Sequence, residues 1–168
     1  GQDQIDMIVE AVEEGLELQA TDTLLDLCCG NGALSTYFFK QCEGGVGVDF
    51  SECLIAIARD NFITSSAVDF QLADVVTFCQ QAPNAERFTK ALCYGSFSYL
   101  PNESAKSVLR HLHDKFPYIT KCFIGNYPDK ALFEEFSEGY NLPKGLQAEP
   151  DSAIGIWRTR AEFMALAE

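Results

Sequence analysis

The sequence predicts an α/β fold of three layers, α/β/α, with helices on both faces of a mostly parallel sheet. Three observations carry that expectation. Short apolar, strand-like runs alternate with helical stretches along most of the 168 residues. A glycine bend, Gly30-Asn-Gly32, sits between the first such run and the helix after it. Acidic residues, Asp49 and Asp74, stand at the ends of the next two runs. Strands that alternate with helices are joined by crossovers, which lay parallel strands side by side and cover both faces. The crossovers are right-handed, and such sheets bind ligands beyond the carboxyl ends of their strands, where strand order reverses.

The elements follow in order. Residues 2–16 place Ile5, Ile8, Val9, Val12 and Leu16 on one helical face. Thr23–Cys28 reads as a buried strand, and Ala33–Gln41 as the helix beyond the glycine bend. Gly45–Asp49 is a second strand, with Ser51 a suitable N-cap for a helix over Glu52–Asn61. Ala67–Leu72 is a third strand with a short helix over Val75–Gln81, and Phe88–Tyr94 a fourth. Asn102 is expected to cap a helix over Glu103–Lys115. Ile119–Gly125 is a fifth strand, followed by a helix near Lys130–Glu138. The stretch Asn141–Asp151, rich in Pro, Gly and polar residues, reads as a loop. Thr159-Arg-Ala-Glu162 has the form of a capping box and should start a last helix that runs to the end of the chain.

Composition narrows the functions open to such a fold. Acids outnumber bases 25 to 12, a net charge of −13. A surface this acidic repels phosphate backbones and anionic lipid, so neither a nucleic acid nor a membrane is expected as partner. No apolar run approaches the roughly 20 residues that span a bilayer. The seven cysteines are odd in number and form no C-x-x-C pair, which argues for buried structural thiols in a reducing, cytoplasmic setting rather than disulfides or zinc. The only histidines, His111 and His113, fall on one predicted helix, and no metal is expected.

Three clusters can carry chemistry. Asp26-Leu-Cys-Cys-Gly30-Asn-Gly32 lies directly after a strand and before a helix. Glycine lets the backbone turn sharply and lets a ligand approach without an intervening Cβ, and a helix N-terminus offers unpaired N–H groups. Asp26 adds a negative site for a cationic ligand group. Asp49, roughly twenty residues on, stands where a Rossmann-type site places an acid to accept from ribose hydroxyls. Asp74, after Leu72-Ala73, can accept from an exocyclic amine or cap the next helix, and the two roles are compatible.

On these residues the chain resembles the class I S-adenosylmethionine-dependent methyltransferases. LLDLCCGNGALS looks like their first motif, GVGVDFS their second and QLADV their third, in matching order over about Leu24–Leu100. The resemblance implies a Rossmann-like sandwich with strand order 3-2-1-4-5 and S-adenosylmethionine as cofactor. It implies that Asp26, Cys28, Gly30, Asn31 and Gly32 hold the methionine part, with the backbone near Cys93 flanking it. Asp49 would bind the ribose, Phe50 would lie beside the adenine, and Ala73 and Asp74 would read its edge. Cys28 departs from the glycine many members carry, and Thr89 from the Asp that often follows Phe at the fourth strand. The family adds a C-terminal hairpin of strands six and seven. Sequence for it is missing here, which predicts a single domain over residues 1–168 that is truncated.

The family chemistry is an in-line displacement at an activated methyl group, for which alignment supplies much of the rate and no catalytic residue is forced. The substrate side should involve Tyr94, Ser96 and Tyr99 after the fourth strand and Asn126, Tyr127 and Asp129 after the fifth. No N-P-P-Y tetrad is present, which argues against methylation of adenine or glutamine amino groups. CYGSFSYL and FIGNYPDK resemble bacterial methyltransferases acting on sugars and related small molecules, so the expected acceptor is a small polar molecule, through a hydroxyl. Two alternatives stand beside this reading. One is a binding module that keeps the cofactor without catalysis. The other is an NAD-dependent oxidoreductase, which wants a third glycine where Ser35 stands.

Overall fold

The computed structural model describes residues 1–143, 145–149 and 152–168. Five strands form one parallel sheet: β1 (Thr23–Leu27), β2 (Gly44–Asp49), β3 (Val68–Leu72), β4 (Lys90–Tyr94) and β5 (Lys121–Gly125). Their order is β3-β2-β1-β4-β5, as the sequence predicts, so strand order reverses between β1 and β4. Strand boundaries fall one or two residues inside several predicted ones, and β1 ends at Leu27 because Cys28 turns into the left-handed region (φ 60).

Helices α1 (Gln2–Leu16), α2 (Ser35–Phe39) and α3 (Glu52–Phe62) bring Val12, Leu16, Phe38, Ile55 and Ala58 to one face of the sheet, where they meet Leu24, Phe70 and Leu92. Helices α4 (Val75–Gln81) and α5 (Asn102–Lys115) bring Phe78, Cys79, Val108 and Leu112 to the other, against Leu25, Leu27, Ala91 and Cys93. Alternate residues of each central strand therefore enter opposite cores, and each fully buried aromatic or aliphatic side chain contributes about 1.5–3 kcal/mol. Ser51 caps α3, its hydroxyl accepting from Leu54 N. Asp74 caps α4, accepting from Thr77 N at 2.9 Å.

After β5 the chain makes a 3-10 turn at Lys130–Leu132, then α6 (Phe133–Tyr140) and, further on, α7 (Arg160–Met164). The loop expected over Asn141–Asp151 includes Lys144, Pro150 and Asp151, which lie outside the described residues; Leu146–Ala148 within it forms a further 3-10 turn. The capping box of Thr159 and Glu162 is present. Its helix stops at Met164 rather than at the chain end, because Leu166 N and Ala167 N bond three residues back and tighten the last turn. Asn102 is not a cap: Pro101 holds that position, and Asn102 is the first residue of α5. Thr89, the departure at the fourth strand, sits at the amino edge of the sheet. Its hydroxyl donates to Asp22 Oδ1 at 2.7 Å and accepts from Thr23 N at 3.0 Å, joining β4 to β1. No helix among the described residues is long and apolar enough to cross a membrane.

Candidate active site at the carboxyl edge of the sheet

Three loops leave the sheet side by side at the carboxyl ends of β1, β2 and β3, and hydrogen bonds stitch them together. Cys29 N donates to Val48 O at 3.0 Å. Gly30 N donates to Asp49 Oδ2 at 3.0 Å, across 19 residues of sequence, and Ser51 N donates to Asp49 Oδ1 at 2.9 Å. Ala73 N donates to Asp49 O at 3.0 Å. Gly30, Asp49 and Ala73 are thereby brought to one edge, with Asp74 exposed one residue beyond. A carboxylate has four lone-pair directions, so Asp49 can still accept from a ligand while it holds the first loop. Phe50, next to it, leaves 78% of its surface in solvent. An apolar ring left open at a strand end offers a flat face to a planar ligand.

The two glycines of the bend differ in cause. Both have positive φ, +57 at Gly30 and +75 at Gly32. A Cβ at Gly30 would meet nothing within 4 Å, which leaves the backbone open to an approaching group. A Cβ at Gly32 would lie 2.7 Å from Phe70 Cε1 and 3.1 Å from Ala58 Cβ. Gly32 is thus required by packing of the bend on β3 and α3. Asn31 turns its side chain back on the loop, Oδ1 accepting from Ala33 N at 3.1 Å.

Asp26 is 4% exposed and faces α2, where its Oδ2 accepts from Ser35 Oγ at 2.5 Å. Burial pushes its pKa up to about 7; the Ser35 hydrogen bond pulls the other way, and the charge of Asp49 adds to the rise. A carboxyl so placed changes charge near neutrality, and a cationic group above it would hold it ionised. Cys93 is buried, and hydrogen bonding with the neighbouring free Cys28 thiol, together with that burial, holds its pKa well above the ordinary thiol value. Burial likewise raises Cys29. Cys93 and Cys29 therefore stay protonated as thiols. Among the described residues no group of three or more His, Cys, Asp or Glu is placed to hold a metal ion.

Residues 24–115 match the model of a family described as a methyltransferase domain. The chain belongs to the S-adenosylmethionine-dependent methyltransferase family. An uncharacterized RNA methyltransferase of Chlamydia caviae is 26% identical over 144 residues, which cover 82% of this chain and 34% of the relative. The chain therefore spans about a third of the length of the curated relatives it matches. Among solved structures, magnesium protoporphyrin IX methyltransferase from Synechocystis PCC 6803 with bound SAH superposes with a TM-score of 0.67 at 18% identity, over 98% of this chain and 70% of that one. A putative methyltransferase from Bacillus halodurans gives 0.67 at 18% identity, over 94% and 65%. These likenesses establish the methyltransferase sandwich as the fold.

On the far side of the reversal, the methyltransferase edge over β4 and β5 is covered by the chain's own tail. Ile156 N donates to Ser98 O at 2.7 Å, and Lys130 N to Arg158 O at 3.2 Å. The Tyr127 ring packs between Phe97 and Phe163, and its hydroxyl accepts from Arg158. Burial raises its pKa while the Arg158 hydrogen bond and charge lower it. Tyr94 lies over Gly125 on the α1 face of the sheet, half-buried, with its pKa raised by that burial. Ser96 precedes the 3-10 turn Phe97–Tyr99. Tyr99 donates to Ala153 O at 2.9 Å, Asp129 Oδ1 accepts from Ala131 N, and Asn126 is exposed with φ 51. Tyr99, Tyr127 and Asp129 are thus hydrogen-bonded within the fold, whereas Ser96 follows β4 and Asn126 follows β5 at the same carboxyl edge.

Sequence reasoning missed Arg158. It is 4% exposed, yet it organises this half of the site through Asn102, Leu100 O and Tyr127. The only local signal is a basic residue inside an apolar run, Ile156-Trp-Arg158, just ahead of the capping box.

Proposed function

We propose that residues 1–168 form one cofactor-binding domain that transfers a methyl group from S-adenosylmethionine to a small polar molecule. The observation that carries this reading is the bond from Gly30 N to the Asp49 carboxylate, which ties the glycine bend to the acid of the next strand. In this reading Asp49 accepts from the ribose hydroxyls, Phe50 lies along the adenine, and the Ala73–Asp74 edge reads the adenine amine. The open backbone at Gly30 runs along the methionine part, and Asp26 attracts its amino end across Ser35 or a water. The cofactor supplies a methyl group already activated on a sulfonium. The chain's own work is then to align an acceptor near Ser96 and Asn126 and to exclude water, which suits the tail folded over β4 and β5.

A small acceptor is favoured by the charge of −13, which opposes a polyanion. An RNA acceptor is the second reading, because the Chlamydia relative carries that name. Methyl transfer from radiolabelled S-adenosylmethionine is to be measured over a panel of hydroxylated metabolites and over total RNA. Label in a metabolite and none in RNA is the expected result. Label in RNA, falling steeply with salt, overturns the acceptor class. S-adenosylmethionine bound without turnover on either panel favours a binding module.

A further inference from the structure

The tail that covers β4 and β5 also closes a groove of about 710 Å3 against the start of α5 and one side of α7. That volume suits a small organic ligand. Apolar walls come from Pro101, Ile156 and Leu166. The polar lining is unusual in two independent ways.

The first is a buried cation without a counter-charge. Arg158 lines the groove, and its guanidinium bonds only neutral partners: Asn102 Oδ1 from Nε at 2.9 Å and from one terminal nitrogen at 2.7 Å, Leu100 O at 2.9 Å, and the Tyr127 hydroxyl. No carboxylate among the described residues pairs with it. Neutral partners satisfy N–H groups but leave the charge in place, and in a poorly solvated wall an uncompensated cation favours an anion beside it. Lys106 also lines the groove, as do the carboxylates of Glu103 and Glu162, the latter matched to Lys130 at 3.0 Å; three cations against two carboxylates leave the lining with one positive charge in excess.

The second is a buried donor without an acceptor. Trp157 lines the same groove, is 8% exposed, and its indole Nε1 has no hydrogen-bond partner among the described residues. Buried N–H groups are nearly always paired, and leaving one unmade costs about 1–3 kcal/mol. Gln147, in the same lining, has a buried Oε1 that is also unpartnered.

We propose that this groove binds a small organic carboxylate with an apolar body, its charge held by Arg158 and Lys106 and one oxygen accepting from Trp157 Nε1. The proposal needs neither the cofactor nor methyl transfer. Trp157 is the single tryptophan of the chain, so intrinsic fluorescence reports on the groove directly. The full chain is to be titrated with phenylacetate, benzoate and hexanoate, and with the three matching neutral amides. At least one carboxylate should give a saturable change in emission, at least about tenfold tighter than its amide, a gap of about 1.4 kcal/mol. Lys106→Gln should weaken that carboxylate severalfold, while Lys40→Gln, on the opposite face of the sheet, should not. S-adenosylhomocysteine titrated into the same proteins reads the other site and should be indifferent to Lys106→Gln. Amides binding as well as acids, or no saturable response to any carboxylate at tens of millimolar, overturns the proposal whatever the cofactor does.

Discussion

The two halves of the sheet's carboxyl edge are built by different means. Over β1, β2 and β3 the site is made of short loops whose backbone bonds run directly to the neighbouring strand, as from Gly30 to Asp49 and from Ala73 to Asp49 O. Over β4 and β5 it is made of side chains that reach far along the sequence, as from Arg158 to Asn102 across 56 residues. The first half is a backbone cradle that any chain with the right bend and acid can form. The second depends on one buried guanidinium and on where the tail returns. In the proposed reading the first half is a portable cofactor site and the second a chain-specific acceptor side, a contrast that can be pressed by substitution.

The largest expected effect lies in the bend. Gly32→Ala should destabilise the protein by roughly 3 kcal/mol in denaturant titrations, because the new Cβ strikes Phe70 in a left-handed backbone. Gly30→Ala, equally left-handed but open, should lose only about 1–2 kcal/mol. Equal losses would remove the distinction between a packing glycine and a ligand-facing one.

Next comes Asp26. Its folded pKa is raised from 3.8 to about 7, so the folded state holds the proton more tightly. The stability gained from that proton is fully present below about pH 4 and is lost as pH climbs to 7. Asp26→Asn should therefore be more stable than the parent above pH 8 by roughly 4 kcal/mol, with the gap closing toward pH 4. A gap that does not vary with pH would mean that Asp26 is not a buried, proton-linked group.

The same contrast explains what was legible in the sequence. The strand order follows from the family resemblance, and the bend, Ser51 and Asp74 as caps, and the meeting of Gly30 with Asp49 follow from local patterns repeated at one strand-helix-strand spacing. The reason for Gly32 was not legible, because Phe70 belongs to another strand. Asn102 looked like a cap because Asn often is one; here Pro101 takes that place and the Asn102 side chain serves Arg158. Tyr127 was legible as a substrate-side candidate, but not that its hydroxyl accepts from Arg158 or that its ring packs against Phe97 and Phe163. Local sequence carries no record of a partner that arrives from the tail.

In the proposed function the glycine bend and Asp49 form one adenosyl site. Calorimetric titration of S-adenosylhomocysteine into the parent and into Asp49→Ala tests it most directly. The parent should bind saturably, and the variant more weakly by roughly 1.5–3 kcal/mol, the scale for hydrogen bonds to a charged group. An unchanged dissociation constant in a folded Asp49→Ala protein would contradict it.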